Sequence, residues 1–124
     1  MAEYDLREKP PAPYVNMQVT NVENGFVHSL RAKLDTCASI SVLPEPVVEA
    51  LALDPKGEGR FWGYEGIPSV RSLYYVVIEV AGLRLPPMRV IASHRSEALL
   101  GRDVLNHFII ILDGKALTFE MRDP

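Results

Sequence analysis

Residues 14–20, "YVNMQVT", place Val15, Met17 and Val19 on one side and Asn16, Gln18 and Thr20 on the other. A period of two marks a half-buried strand. "NVENG" follows, with Asn24-Gly25 as a hairpin signal. "FVHSLRAKL" then alternates again, with Phe26, His28, Leu30, Ala32 and Leu34 on the apolar side. "VRSLYYVVIEVAG" is the most β-prone run, closed by Gly82. "LRLPPMRVIA" reads as a strand interrupted by Pro86 and Pro87, hence an edge or a bulged strand. "IIILDGKALTFEM" reads as a hairpin turning at Asp113-Gly114. Two short helices are expected. One spans 44–53, with Val47 and Leu51 one turn apart and Asp54-Pro55 as its stop; the other spans 104–108, with Asp103 as its N-cap. About seven or eight strands and two helices make an all-β barrel or sandwich.

The chain has 124 residues, enough for one domain with a core of its own. Residues 1–13 are charged and proline-rich and are expected to form an N-terminal arm, with 14–124 as the folded domain. That N-terminus does not resemble a signal peptide, and no apolar run approaches the ~18 residues of a membrane span. The expectation is a cytoplasmic protein. A net charge of −3 provides no basic footprint for nucleic acid. One cysteine excludes an internal disulfide, and His28, His94 and His107 show no metal-ligand spacing, so no metal or cofactor is expected.

"AKLDTCASISVLP", residues 32–44, sets a carboxylate, Asp35, between two β-like segments. It reads either as an acid capping the turn after a strand or as a partly desolvated group with a chemical role. Two further stretches bear on the choice. "LDTCAS", the glycine-rich "FWGYEGIP" and "LLGRDVL" follow in the order of the retropepsin-like aspartic proteases, and together they resemble that family over residues 14–121. The family pattern is an apolar residue, Asp-Thr/Ser-Gly-Ala, a glycine-rich flap, then two apolar residues, Gly-Arg and a short helix.

The resemblance implies a closed all-β barrel with a flap hairpin and one or two short helices, one lobe per chain. It implies an aspartic endopeptidase, in which two carboxylates sharing one proton activate water and polarise the peptide carbonyl. This chain carries one such motif, since Asp5, Asp54, Asp103, Asp113 and Asp123 lack its flank. The second acid would come from another copy, giving a C2 homodimer acting on a peptide or protein substrate. Asp35 would be catalytic, in a loop with Thr36, Cys37, Ala38 and Ser39. Thr36 would bond across the dimer axis. Trp62, Gly63, Tyr64, Glu65 and Gly66 would form the flap, with Phe61 bracing it. Leu99, Leu100 and Gly101 would pack behind the Asp loop. Arg102 would be a structural hydrogen-bond or ion-pair residue. Its usual acidic partner is replaced here by Ser39 and Ile40. Residues 1–13 and 116–121 would supply interface strands.

Cys37 departs from the pattern, which has glycine there. Glycine tolerates backbone conformations closed to other residues and leaves room for a substrate chain. If the position needs a positive φ, a cysteine adds strain of roughly 1–2 kcal/mol. No histidine lies near Cys37 in sequence to act as its base, so the thiol reads as a small hydrophobe rather than a nucleophile. The competing expectation is a weakened or inactive peptide-binding or dimerisation module of the same fold.

Overall fold

The computed structural model describes residues 1–62 and 68–123. The strands are β1 (Ala2–Glu3), β2 (Tyr14–Thr20), β3 (Val27–Leu34), β4 (Val42–Pro44), β5 (Glu58–Trp62), β6 (Pro68–Val80), β7 (Leu83–Arg84), β8 (Met88–Ser93), β9 (Ala98–Leu100), β10 (Ile109–Asp113) and β11 (Thr118–Arg122). The helices are α1 (Glu45–Ala50) and α2 (Arg102–Leu105). Six strands close a ring in the order β2, β3, β9, β4, β8, β6 and back to β2. β3 and β9 run parallel, as do β4 and β8. A ring leaves no open edge among its members.

The alternation in β2 and β3 sets what the ring encloses. Met17, Val19 and Ala32 point inward and meet Leu43, Val76, Ile78, Val90 and Leu100. Each buried Val, Leu, Ile or Met side chain among them contributes about 1.5–3 kcal/mol. Gly25 takes φ 77° in the turn between β2 and β3, as the Asn-Gly signal implies. Phe26, expected on the inner face, lies before β3 begins and is 52% exposed.

α1 carries Pro46 in its first turn and buries Val47 and Val48, with Leu51 buried at its C-cap. It ends earlier than the Asp54-Pro55 signal suggested. Ala52 takes φ 51°, and the Leu51 carbonyl accepts hydrogen bonds from the amides of Asn21 (2.9 Å) and Asn24 (3.1 Å). The turn between β2 and β3 thus caps a helix that follows it by more than twenty residues.

Two further expectations are corrected. β8 is not an edge strand, because β4 and β6 flank it. Pro86 and Pro87 fall in the connection before it, so its own N–H donors are intact. The β10–β11 loop is longer than the Asp-Gly signal, since Asp113 pairs with Thr118 and Leu117, not Gly114, takes φ 58°. Asp113 Oδ1 accepts from the Ala116 N–H at 2.9 Å and holds the wider turn. β11 is the middle strand of a separate sheet ordered β1, β11, β10, so the 116–121 segment has neighbours of its own chain on both sides. β1 and β10 are the edges of this sheet, and β10, the longer of the two, has Ile109, Ile111 and Leu112 exposed.

Residues 1–13 lie against this framework. Ala2 and Glu3 pair with Phe119 and Thr118, and Asp5 pairs with Ala12. The Asp5 carboxylate accepts from Arg7 (3.1 Å) and Arg31 (2.6 Å), and the Arg31 guanidinium stacks 4.5 Å from the centre of the Tyr14 ring. The Tyr14 hydroxyl contacts Glu8 and Glu97, and burial first, then these carboxylates, push it above its ordinary pKa. Hydrogen bonds from the Arg7 side chain, then from Arg31, hold the Asp5 carboxyl well below the usual carboxylate range. Its lowered pKa gives stability present above the ordinary carboxylate pKa and lost as pH falls toward the folded value. Asp5→Asn is therefore expected to speed amide exchange over residues 1–12. The difference from wild type should stay constant above about pH 5 and shrink below about pH 4. Amide exchange followed by mass spectrometry at both pH values checks this.

Candidate active site

Asp35 follows the last residue of β3, beside the end of β9. Its N–H donates to the Leu100 carbonyl at 2.9 Å, continuing the parallel ladder in which Leu34 faces Leu100. Its carboxylate Oδ1 accepts the Cys37 N–H at 3.0 Å, and its carbonyl accepts the Ala38 N–H at 3.2 Å. An aspartate two residues before a free N–H closes a tight turn in this way. Asp35 is half-buried, while Thr36 and Cys37 are exposed. The turn reading and a chemical role are thus compatible, since one oxygen holds the loop.

The segment after β9 clamps that loop. The Arg102 N–H donates to the Ala38 carbonyl and its guanidinium donates to the Thr36 carbonyl, both at 2.8 Å. Arg102 therefore binds main chain, with no ion pair among the described residues. Gly101 has no room for a side chain. A Cβ there would meet the Ala38 oxygen at 2.9 Å and Ile40 backbone atoms at 2.9 and 3.0 Å. Leu99 and Leu100 are buried. The sequence-derived elements 35–38 and 99–102 are thus brought together.

Asp103 does not cap α2. The N-cap position is Gly101, without a side-chain hydrogen bond, and α2 starts at Arg102. Asp103 instead accepts from the Ser41 N–H (2.9 Å) and hydroxyl (2.7 Å), and Ser41 Oγ in turn accepts the Gly101 N–H at 3.0 Å. Ser41 is buried and wholly satisfied by these bonds. Neither residue was singled out from sequence for this pairing, because a hydroxyl and an acid 62 positions apart carry no local signal.

Cys37 is exposed and unpaired. Among the described residues the non-glycine positions with positive φ are Ala52, Ala81 and Leu117, so Cys37 carries no left-handed strain. Its bulk alone distinguishes it from the glycine of the pattern. Ala38 is half-buried and Ser39 exposed.

β5 and β6 form an antiparallel hairpin in register from Glu58↔Ser72 to Trp62↔Pro68. Gly63, Tyr64, Glu65 and Gly66, expected at a flap tip, lie outside the described residues. Phe61 packs on a second apolar cluster made by Val42, Leu73, Ile91 and Leu99, with Ile40 at its margin. Its ring lies over Gly59, where a Cβ would come within 3.0 Å. This cluster links the hairpin to the strand that precedes Gly101. No group of three or more His, Cys, Asp or Glu side chains that would hold a metal ion occurs among the described residues. No helix among them is long and apolar enough to cross a membrane.

No protein-family model matches the sequence, and no curated protein matches it. Solved structures do. The protease of EIAV in complex with an inhibitor matches with a TM-score of 0.62 at 24% identity, covering 83% of this chain and 90% of that one. A retropepsin-like aspartic protease from Rickettsia conorii matches with a TM-score of 0.66 at 16% identity, covering 100% of this chain and 91% of that one. The fold is retropepsin-like.

Proposed function

We propose that this chain, built on the retropepsin-like fold, is one half of a homodimeric aspartic endopeptidase. Each subunit supplies one Asp35, with 14–124 as the catalytic unit and 1–13 as an arm on its surface. The observation that carries this reading is the setting of Asp35. Its main chain is held by Leu100 and its loop by Arg102, yet the residues that follow it open to solvent. A rigid mount for an accessible acid is what differential stabilisation of a transition state needs.

Asp35 alone carries the motif flank, and three of the other aspartates are committed elsewhere: Asp103 to Ser41, Asp5 to two arginines, Asp113 to its own turn. The second carboxylate therefore comes from a second copy. The open edge of β10, with Ile109, Ile111 and Leu112 exposed, offers a sheet for that copy to extend. With two carboxylates face to face, one ionised and one protonated, the first takes a proton from water and the second donates to the carbonyl oxygen. The β5–β6 hairpin acts as the flap, Trp62 to Gly66 closing over an extended peptide and excluding water. Hydrolysis of a denatured protein at pH about 4 to 6, lost in Asp35→Asn, tests the reading. Peptide binding without hydrolysis would leave a non-catalytic binding module.

Cys37 sits two residues after the acid, where its side chain narrows the approach of a substrate. Cys37→Gly removes that bulk and, with no positive φ at the position, relieves no strain. The expected result is kcat/KM equal to wild type or higher, with a melting free energy lower by up to about 1 kcal/mol from added chain entropy. A loss of a hundredfold, about 2.7 kcal/mol of transition-state stabilisation, would mean that the thiol takes part in the chemistry.

A further inference from the structure

Beneath the β5–β6 hairpin lies a cavity of about 220 Å³. Val42, Phe61, Ile91 and Leu99 form its apolar wall, and Arg71 and Arg95 also line it. Along β6, Ser69, Arg71 and Leu73 share one face, so Arg71 stands between the apolar cluster and the hairpin tip. One Arg71 N–H donates to the Ala92 carbonyl at 3.3 Å, which anchors the guanidinium and leaves its other donors free of that bond. Arg95 is exposed. Among the described residues neither arginine has a carboxylate partner, and no carboxylate lines the cavity. The cavity adjoins the Asp35 loop. Leu99 precedes the residue whose carbonyl holds the Asp35 N–H, and Ile40 packs on the same cluster.

We propose that this cavity is a specificity subsite that seats an apolar substrate side chain and binds a neighbouring substrate carboxylate through Arg71 and Arg95. The substrate class is then a peptide with an acidic residue beside an apolar one. The inference rests on the peptide-cleaving reading of the adjoining cleft. Its chemistry is general: an apolar wall fixes position, and a planar guanidinium with free donors selects a carboxylate over an amide of the same shape. A protein with a net charge of −3 that keeps two arginines together at a cleft gains selection there rather than general attraction for acids.

The test uses synthetic peptides with one apolar anchor and Glu, Gln or Lys placed in turn at each flanking position. Cleavage is measured with wild type, and binding with Asp35→Asn by calorimetry. At one position Glu should be favoured over Gln by about tenfold, with Lys worse than both. That ratio should rise from pH 4 to pH 6, because a peptide Glu ionises near pH ~4.3. Arg71→Gln and Arg95→Gln should each lower it, and Arg95→Glu, at an exposed position that the fold does not need, should turn the preference toward Lys. A Glu-to-Gln ratio within about twofold at every position, unmoved by Arg95→Glu, overturns the subsite. The two readings fail separately. Absence of any cleavage by wild type removes the proposed activity, while the binding ratio on Asp35→Asn still decides the subsite.

Discussion

Asp35→Asn should lower kcat/KM at least about a thousandfold, equivalent to about 4 kcal/mol of lost transition-state stabilisation. The loss should fall on kcat, with KM within a few-fold. An amide cannot take a proton from water, so the step that generates the nucleophile is removed. The same substitution should leave the fold intact. The Asp35 oxygen that accepts the Cys37 N–H has an equivalent in the asparagine Oδ1, and the backbone bond to Leu100 is independent of the side chain. Melting temperature and secondary structure unchanged beside an abolished turnover would separate chemistry from scaffold. Substantial residual turnover would move the chemistry to another group, and Cys37 would be the next to replace.

The second large effect is expected at Gly101. Its backbone angles are ordinary, with φ −87°, so conformational freedom is not why glycine stands there. Space is. The atoms a Cβ would meet are carbonyl and backbone atoms of Ala38 and Ile40, which cannot swing aside as a side-chain tip can. Those same residues carry the Asp35 loop and its bond to Arg102. Gly101→Val should therefore cost about 3 kcal/mol or more, and Gly101→Ala somewhat less. The melting temperature should drop by about 10 °C or more for the valine variant. Activity of the folded fraction should fall as well, because relief of the clash moves the acid. Gly114→Ala is the control. Nothing lies within 4 Å of the added atom, and its change should stay within about 0.5 kcal/mol.

Strands such as β2, β3 and β6 were legible because their determinants are local or patterned, whereas the Asp35 loop was legible through its resemblance to a known motif; the short strands β1, β4 and β9, two or three residues each, carry no period to read. Val15 to Val19 alternate and Asn24-Gly25 turns, while the place of the Leu-Leu-Gly-Arg run behind the Asp35 loop is what the resemblance implied. The Ser41–Asp103 tie was not legible. An acid before a short helix reads as a cap, and only the ring's closure, which sets β9 against β4, brings Ser41 to it. The central place of β8 was missed for a related reason: two prolines argued for an edge, while the chain spends them in a connection where no ladder bond is needed. Likewise the Asp113-Gly114 pair signalled a two-residue turn, but the Asp113 side chain binds the Ala116 N–H and holds a longer one. The arginines at the cleft carried no motif. They become notable only when β6 and the segment after β8 converge on one cavity.

The central claim is that one active site needs Asp35 from two copies. Subunit mixing measures this directly. Wild type and Asp35→Asn are combined at fixed total concentration, allowed to exchange, and assayed on one peptide at acid pH. If a site needs both acids, activity follows the square of the wild-type fraction, and an equal mixture retains about one quarter of the wild-type rate. If each chain carries a complete site, activity falls in direct proportion and the equal mixture retains about one half. The account predicts the quarter; a linear fall through one half would contradict it.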